Sequence, residues 1–231
     1  MPVEEFDRLL GMVDVLETLP PGELRSLAAR ASLERVGAKE TVWIGPQDHA
    51  RRVIVLLSGR MQVYEPGPRG RRLTVSVAEA GTVVGVSGLS ERARGLRVVA
   101  LAPSVLCLLE RGAFEGALRR NPGAALALVG VLAERIGVLE ERLGEMAHKG
   151  VAARLAGTLL RLIEGEGVVG PGGESIPTRY THQQLASMIG ANREATTRAL
   201  GALRERGTVE VKERRVHVAD SAALRRAALE G

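Results

Sequence analysis

Aromatic side chains are scarce: one Trp, two Tyr and two Phe in 231 residues. So few cannot build the stacking platforms on which single-stranded nucleic acids are held. There is a single cysteine, Cys107, which excludes internal disulfides, four-cysteine zinc sites and cysteine-ligated iron–sulfur clusters. The same scarcity points to the cytoplasm as the compartment. No window of roughly 18 residues is both apolar and uncharged, so no membrane span or membrane partner is expected. The acidic start, Met1-Pro2-Val3-Glu4-Glu5, lacks the basic-then-apolar order of a signal peptide. Repeats and low-complexity tracts are absent. So are a Ser/His/Asp set, a Gly-x-Ser-x-Gly elbow and a Walker loop, and no enzyme is expected. The four His, at 49, 148, 182 and 217, show no ligand spacing, so neither a metal nor any other cofactor is expected.

What is present is an ordinary globular balance, 45% apolar and 26% charged, enough for a real core. Formal net charge is +5, carried by 29 Arg against 3 Lys. The planar, always-charged guanidinium suits phosphate and guanine, although a high-GC genome enriches Arg as well.

The chain divides into three kinds of text. Phe6, Leu9, Leu10, Val13 and Leu16 recur at helical spacing over 4–18, and Pro20-Pro21-Gly22 breaks the run. A second helix then opens near Pro21, with Leu24 and Leu27 inward. From about Leu33 to Leu109, short β-rich runs alternate with Gly and Pro. They cover 41–44, 53–57, 61–64, 73–77, 82–84, 97–101 and 105–109. That density of short strands predicts a small antiparallel barrel or roll.

After Pro122 the pattern is helical and long. Val129, Leu132, Ile136, Leu139, Leu143 and Met146 step by three and four, an a/d seam with Glu134, Arg135, Glu140, Glu141 and Arg142 around it. A narrow seam fits a homodimer coiled coil better than a core helix. His148-Lys149-Gly150 ends the run as a hinge. The predicted domains are 1–121 (helices and roll), 122–149 (dimerisation helix and hinge) and 150–231. The fold class is α+β.

The last domain carries the chemistry. A helix with Leu155, Leu159 and Leu162 on one face is followed by a Gly/Pro-rich link, 165–177. Thr181-His182-Gln183-Gln184 has the form of a capping box. Leu185, Ala186 and Ile189 face inward, Gly190 supplies a turn, and Asn192 caps the next helix. Gly207 ends that helix, and Val209–Val211 and Val216–Val218 form a hairpin around Lys212–Arg215. Helix, tight turn, capped helix and hairpin make a winged helix-turn-helix. Its second helix opens Arg193-Glu194-Ala195-Thr196-Thr197-Arg198. An Arg fork there can bond guanine O6 and N7, and Glu can accept from cytosine N4. Glu194 and Arg198, four residues apart, share a face. Thr181, Gln183 and Asn192 stand where helix starts meet phosphates. The alternative is an ordinary solvated face with a weak ion pair.

The arrangement resembles the family of bacterial regulators that includes the cyclic-AMP receptor protein and FNR. The resembling text is Leu57-Ser58-Gly59-Arg60-Met61-Gln62-Val63-Tyr64, Gly81-Thr82-Val83-Val84-Gly85, the long helix after Asn121-Pro122, and Thr181 to Arg198. The resemblance implies a homodimer on a TGTGA-like palindrome of double-stranded DNA, read by Arg193, Glu194 and Arg198. It implies phosphate contacts at Thr181, Gln183 and Asn192, RNA polymerase as a partner, and activation before repression. Ala195 replaces a Thr that often contacts phosphate in the family.

The same resemblance locates a nucleotide pocket, and here the sequence departs from the pattern. Val86 follows Gly85 where a ribose-binding Glu is expected. Gly95 follows Arg94 where a hydroxyl should help grip the phosphate. Leu139 and Glu140 occupy the adenine-reading positions. Three or four lost bonds at about 1–3 kcal/mol each total on the order of 5 kcal/mol, thousands-fold in affinity. Arg94, or Arg92 if the register slips, does not restore that. No cyclic-AMP response is expected. The alternative is the same fold gated by another small-molecule or redox effector. Cys107, in an apolar strand, reads as a buried hydrophobe rather than a redox sensor.

Overall fold

The computed structural model describes residues 10, 11, 13, 15–42, 52–86, 96–170 and 173–230. The chain forms two compact units. One runs to Gly137, without Arg71–Thr74, and the other holds those four residues and everything from Val138 onward.

The first unit opens with α1 (Pro21–Ala28), whose Pro stands in the first turn, where no amide hydrogen is needed. Two four-stranded sheets follow. One orders β1 (Ala31–Val36), β8 (Ser104–Glu110), β3 (Arg52–Ser58) and β6 (Val83–Val84). The other orders β2 (Thr41–Val42), β7 (Arg97–Ala100), β4 (Arg60–Pro66) and β5 (Arg72–Glu79). β1 pairs antiparallel with β8 from Ala31↔Leu109 to Val36↔Ser104, and β3 lies on the other side of β8 with Val53↔Leu109. The β3–β4 turn requires Gly59: its φ is +91°, and any Cβ would collide with Ser104. Leu56, Met61, Val98, Ala100 and Leu106 form one core cluster. Leu16, Leu27, Val55, Leu109, Phe114 and Leu128 form a second, to which α2 (Arg111–Arg120) contributes.

The expected roll is present. β1 escapes a pattern search because its exposure does not alternate and Glu34-Arg35 interrupts it. The helix expected over 4–18 lies mainly outside the described residues. Residues 15–18 are turn, yet Leu10, Val13 and Leu16 are buried as their spacing implies.

The helix α3 (Pro122–His148) has 27 residues, and its part from Val138 onward belongs to the second unit. By length and composition alone it is the helix among the described residues that meets the requirement for a bilayer crossing. From Glu134 onward, however, Glu134, Arg135, Glu140, Glu141 and Arg142 interrupt its circumference.

In the second unit α4 (Val151–Glu166) buries Leu155, Leu159 and Leu162. After it come β9 (Val168–Gly170), β10 (Gly173–Ser175), α5 (His182–Met188), α6 (Arg193–Glu205), β11 (Val209–Lys212), β12 (Arg215–Val218) and α7 (Ser221–Leu229). The four strands form one sheet, ordered β11-β12-β10-β9. β9 and β10 lie inside the stretch that reads as a Gly/Pro link. They are three residues each, too short to show a period, and gain their place by pairing with β12. The β11–β12 turn is Glu213-Arg214, both with positive φ (49° and 65°), as a two-residue hairpin turn with the sheet's twist demands.

Candidate nucleic-acid interface

α5 begins as its sequence dictates. Thr181 Oγ1 accepts the Gln184 amide at 3.2 Å, and Gln184 Oε1 accepts the Thr181 amide at 2.8 Å. The Thr181 hydroxyl also donates to Gln184 Oε1 at 2.9 Å, so it has no proton left for a phosphate. Gln183, in contrast, is exposed beside it. Leu185, Ala186 and Ile189 are buried. Gly190 turns the chain at φ +62°, a conformation that favours glycine.

Asn192 caps α6 through Oδ1, which accepts the Ala195 amide at 2.7 Å. Its Nδ2 is not used by the cap. The inward face of α6 is Thr196, Ala199, Leu200 and Leu203, all buried. Arg193, Glu194, Thr197 and Arg198 form the exposed face. Among the described residues the side chains of Arg193, Glu194 and Arg198 make no hydrogen bond or ion pair. The Glu194–Arg198 pair that the spacing allows is therefore not formed, and both groups are left for solvent or a ligand.

Two residues missed by the sequence reading, Thr197 and His182, join this face. Thr197 Oγ1 donates to the Arg193 carbonyl at 2.9 Å and lies 2.8 Å from His182 Nδ1. A hydroxyl has one proton, so His182 Nδ1 is the donor in the second contact. Behind them the buried Thr196 bonds the Asn192 carbonyl at 2.9 Å, steadying the first turn. Nothing in residue spacing announces a bond from the start of one helix to the second turn of another.

Residues 153–227 match the Crp-like helix-turn-helix domain, and residues 34–121 match the cyclic nucleotide-binding domain. The chain is 32% identical to the global nitrogen regulator of Synechocystis sp. over 78% of its own length and 81% of that protein's. The chain belongs to the cyclic-AMP receptor protein/FNR family of transcription regulators. It is also 22% identical to the CRP-like cAMP-activated global transcriptional regulator of Mycobacterium tuberculosis, over 96% of this chain and 100% of that one. A crystal structure of a CRP-family transcriptional regulator from Thermus thermophilus superposes with a TM-score of 0.72 at 26% identity, covering 86% of this chain and 97% of that one. Helix-turn-helix regulators of this family bind DNA, and they are not enzymes.

Helix-turn-helix regulators of this family typically act as dimers. All six seam residues are exposed, from 37% at Leu132 to 66% at Leu143, although they are large and apolar. A lone stripe of that kind costs solvation energy unless something covers it.

The pocket positions are partly visible. Gly85 has φ +85°, and Val86 is 6% exposed, an apolar side chain where the resemblance asks for a carboxylate. Arg94 and Gly95, like Arg92 and His49, lie outside the described residues. Leu139 and Glu140 are exposed on α3. Arg135, read only as a charge flanking the seam, turns back on the roll: its Nη2 donates to the Val83 carbonyl at 2.6 Å, and burial pulls its pKa below the usual arginine value. Cys107 is fully buried, and burial pushes its thiol up to about 12, so it is unreactive as a thiolate. Among the described residues no group of His, Cys, Asp and Glu is arranged to hold a metal.

Proposed function

We propose that the protein is a homodimeric, sequence-specific transcription regulator that reads a TGTGA-like palindrome without needing cyclic AMP, and that it activates transcription by contact with RNA polymerase. The observation that carries this reading is the exposed trio Arg193, Glu194 and Arg198 on a capped helix, with no partner among the described residues. A preorganised fork loses little entropy on meeting guanine. Gln183 and Asn192 Nδ2 supply phosphate contacts, while Thr181 serves by holding the start of α5.

Independence from cyclic AMP is supported by Val86, which offers a buried apolar group to a ribose hydroxyl, and by Leu139, which offers adenine no hydrogen bond. Dimerisation is supported by the exposed a/d stripe. Two copies joined there present two α6 helices, which must lie about 34 Å apart to enter successive major grooves. RNA polymerase and activation rest on the family resemblance.

One observation favours a second reading. The Arg135 guanidinium is partly buried and bonded to the β6 carbonyl of Val83, a cation beside the roll that an anionic effector other than a cyclic nucleotide could meet.

Selection from a randomised duplex library, using purified protein and no nucleotide, tests the proposal. Enrichment of a two-fold symmetric site with the TGTGA-like half is the expected result. Recovery of unrelated duplexes at random contradicts it.

A further inference from the structure

A short elbow separates α3, which carries the proposed seam, from α4, which packs on α6, and this elbow is closed by a buried charge. Glu145, in the last turn of α3, is 8% exposed. Its Oε2 accepts from Arg161 Nη2 at 3.2 Å, and its Oε1 accepts from Arg161 Nη1 and from Lys149 Nζ, each at 3.3 Å. Arg161 Nη2 is further fixed by Thr158 Oγ1 at 3.2 Å. Gly157, one turn before Arg161 on α4, leaves the carboxylate its space: a Cβ there would sit 3.4 Å from Glu145 Oε1.

The opposite side of the elbow is closed separately. Arg154 donates from Nη1 to the Lys149 carbonyl at 2.8 Å and from Nε to the Ile189 carbonyl at 3.0 Å, joining the elbow to the turn between α5 and α6. Met146, the last seam residue, fills the space above Gly190, where a Cβ would come within 2.8 Å of its Cε. Residues 139, 143 and 146 therefore share one compact unit with α6.

We propose that Glu145 is a positioning residue: by pairing with Arg161 across the elbow it fixes the recognition helix relative to the dimer seam, and so sets the half-site spacing the protein accepts. The inference rests on the dimeric DNA-binding reading above. The energetic logic is that of linked binding. A second half-site is bound at an effective concentration set by how narrowly the two helices are held apart. A fixed elbow makes that concentration high at one spacing and low at others. A hinge freed at Glu145 spreads it over several.

The test compares wild-type protein with Glu145→Ala and Arg161→Gln, which break the pair from either side, and with Glu145→Gln, which keeps an acceptor for Arg161. Affinity is measured for duplexes with the selected half-sites at the native spacing and with one or two base pairs inserted or removed, and for one half-site alone. Dimer mass is checked by sedimentation. We expect wild type to prefer its native spacing by about tenfold or more, and the two pair-breaking variants to lose most of that preference. Single-half-site affinity and dimer mass should stay unchanged, and Glu145→Gln should recover part of the preference. A spacing preference identical in all four proteins overturns the positioning role while leaving the DNA-binding reading intact. A uniform loss on every duplex, single half-site included, overturns it in favour of a merely structural role. Wild-type protein that discriminates no half-site at all removes both readings.

Discussion

His182 Nδ1 lies 2.8 Å from Thr197 Oγ1, so the first residue of α5 is bonded to the exposed face of α6. That contact ties the helix expected along the DNA backbone to the helix expected in the groove. Thr197→Val keeps the side-chain shape and removes the bond. The expected loss is about 0.5–1.5 kcal/mol, roughly two- to tenfold in palindrome affinity, without a change in fold. Fluorescence anisotropy with a labelled duplex measures it, and circular dichroism checks the fold.

The Arg193 side chain makes no hydrogen bond or ion pair among the described residues, so its removal leaves no polar group unsatisfied inside the protein. Arg193→Ala should therefore leave stability unchanged. It should cost roughly 1–3 kcal/mol on the selected site and relax the preference at one base pair. Titration against all four base pairs at each position of the half-site checks this. An equal loss on random DNA would show a phosphate contact instead.

Much of this interface is legible in the sequence because its signals are local. A Thr three residues before a Gln, an Asn before an Arg-Glu start, and a Gly between two apolar runs each encode a bond or a φ within a few positions, and Thr181, Asn192 and Gly190 do what their spacing implies. The exposed apolar positions of α3 are legible for the same reason, since their three-and-four period is visible without a partner. Illegible were the long-range choices. His182 finds Thr197 across a turn, Glu145 finds Arg161 across the elbow, and Arg135 leaves the flank of the seam for the Val83 carbonyl. β9 and β10 exist only because β12 offers them an edge. α2 and α7 are missed by the sequence reading, although Phe114 and Ala117 on one, and Leu224, Ala227 and Ala228 on the other, mark a buried face.

Leu143 is 66% exposed. Leu143→Asp should therefore not unfold a single chain, but it places a charge in the shared seam. The expected product is a folded monomer with a circular dichroism spectrum like wild type and much weaker palindrome binding. Sedimentation equilibrium reads the mass directly.

Glu145 gives a pH dependence with a definite sign. Burial works to raise its pKa, but the Arg161 guanidinium and the Lys149 ammonium outweigh it and hold the carboxyl below the usual carboxylate range. A carboxyl whose folded pKa lies below its unfolded value stabilises the fold fully above the unfolded value. That contribution disappears as pH falls through the folded one. Urea unfolding of wild type and Glu145→Gln should differ most near neutral pH, and the difference should shrink as the solution is acidified below the ordinary carboxylate pKa.

Binding to the selected palindrome with and without cyclic AMP is the most direct measurement. Purified dimer should bind it with the same affinity in both solutions, well above its affinity for a scrambled duplex, with both affinities falling steeply as salt rises. Protein that binds the palindrome only after cyclic AMP is added, or that binds palindrome and scramble alike, would contradict the reading.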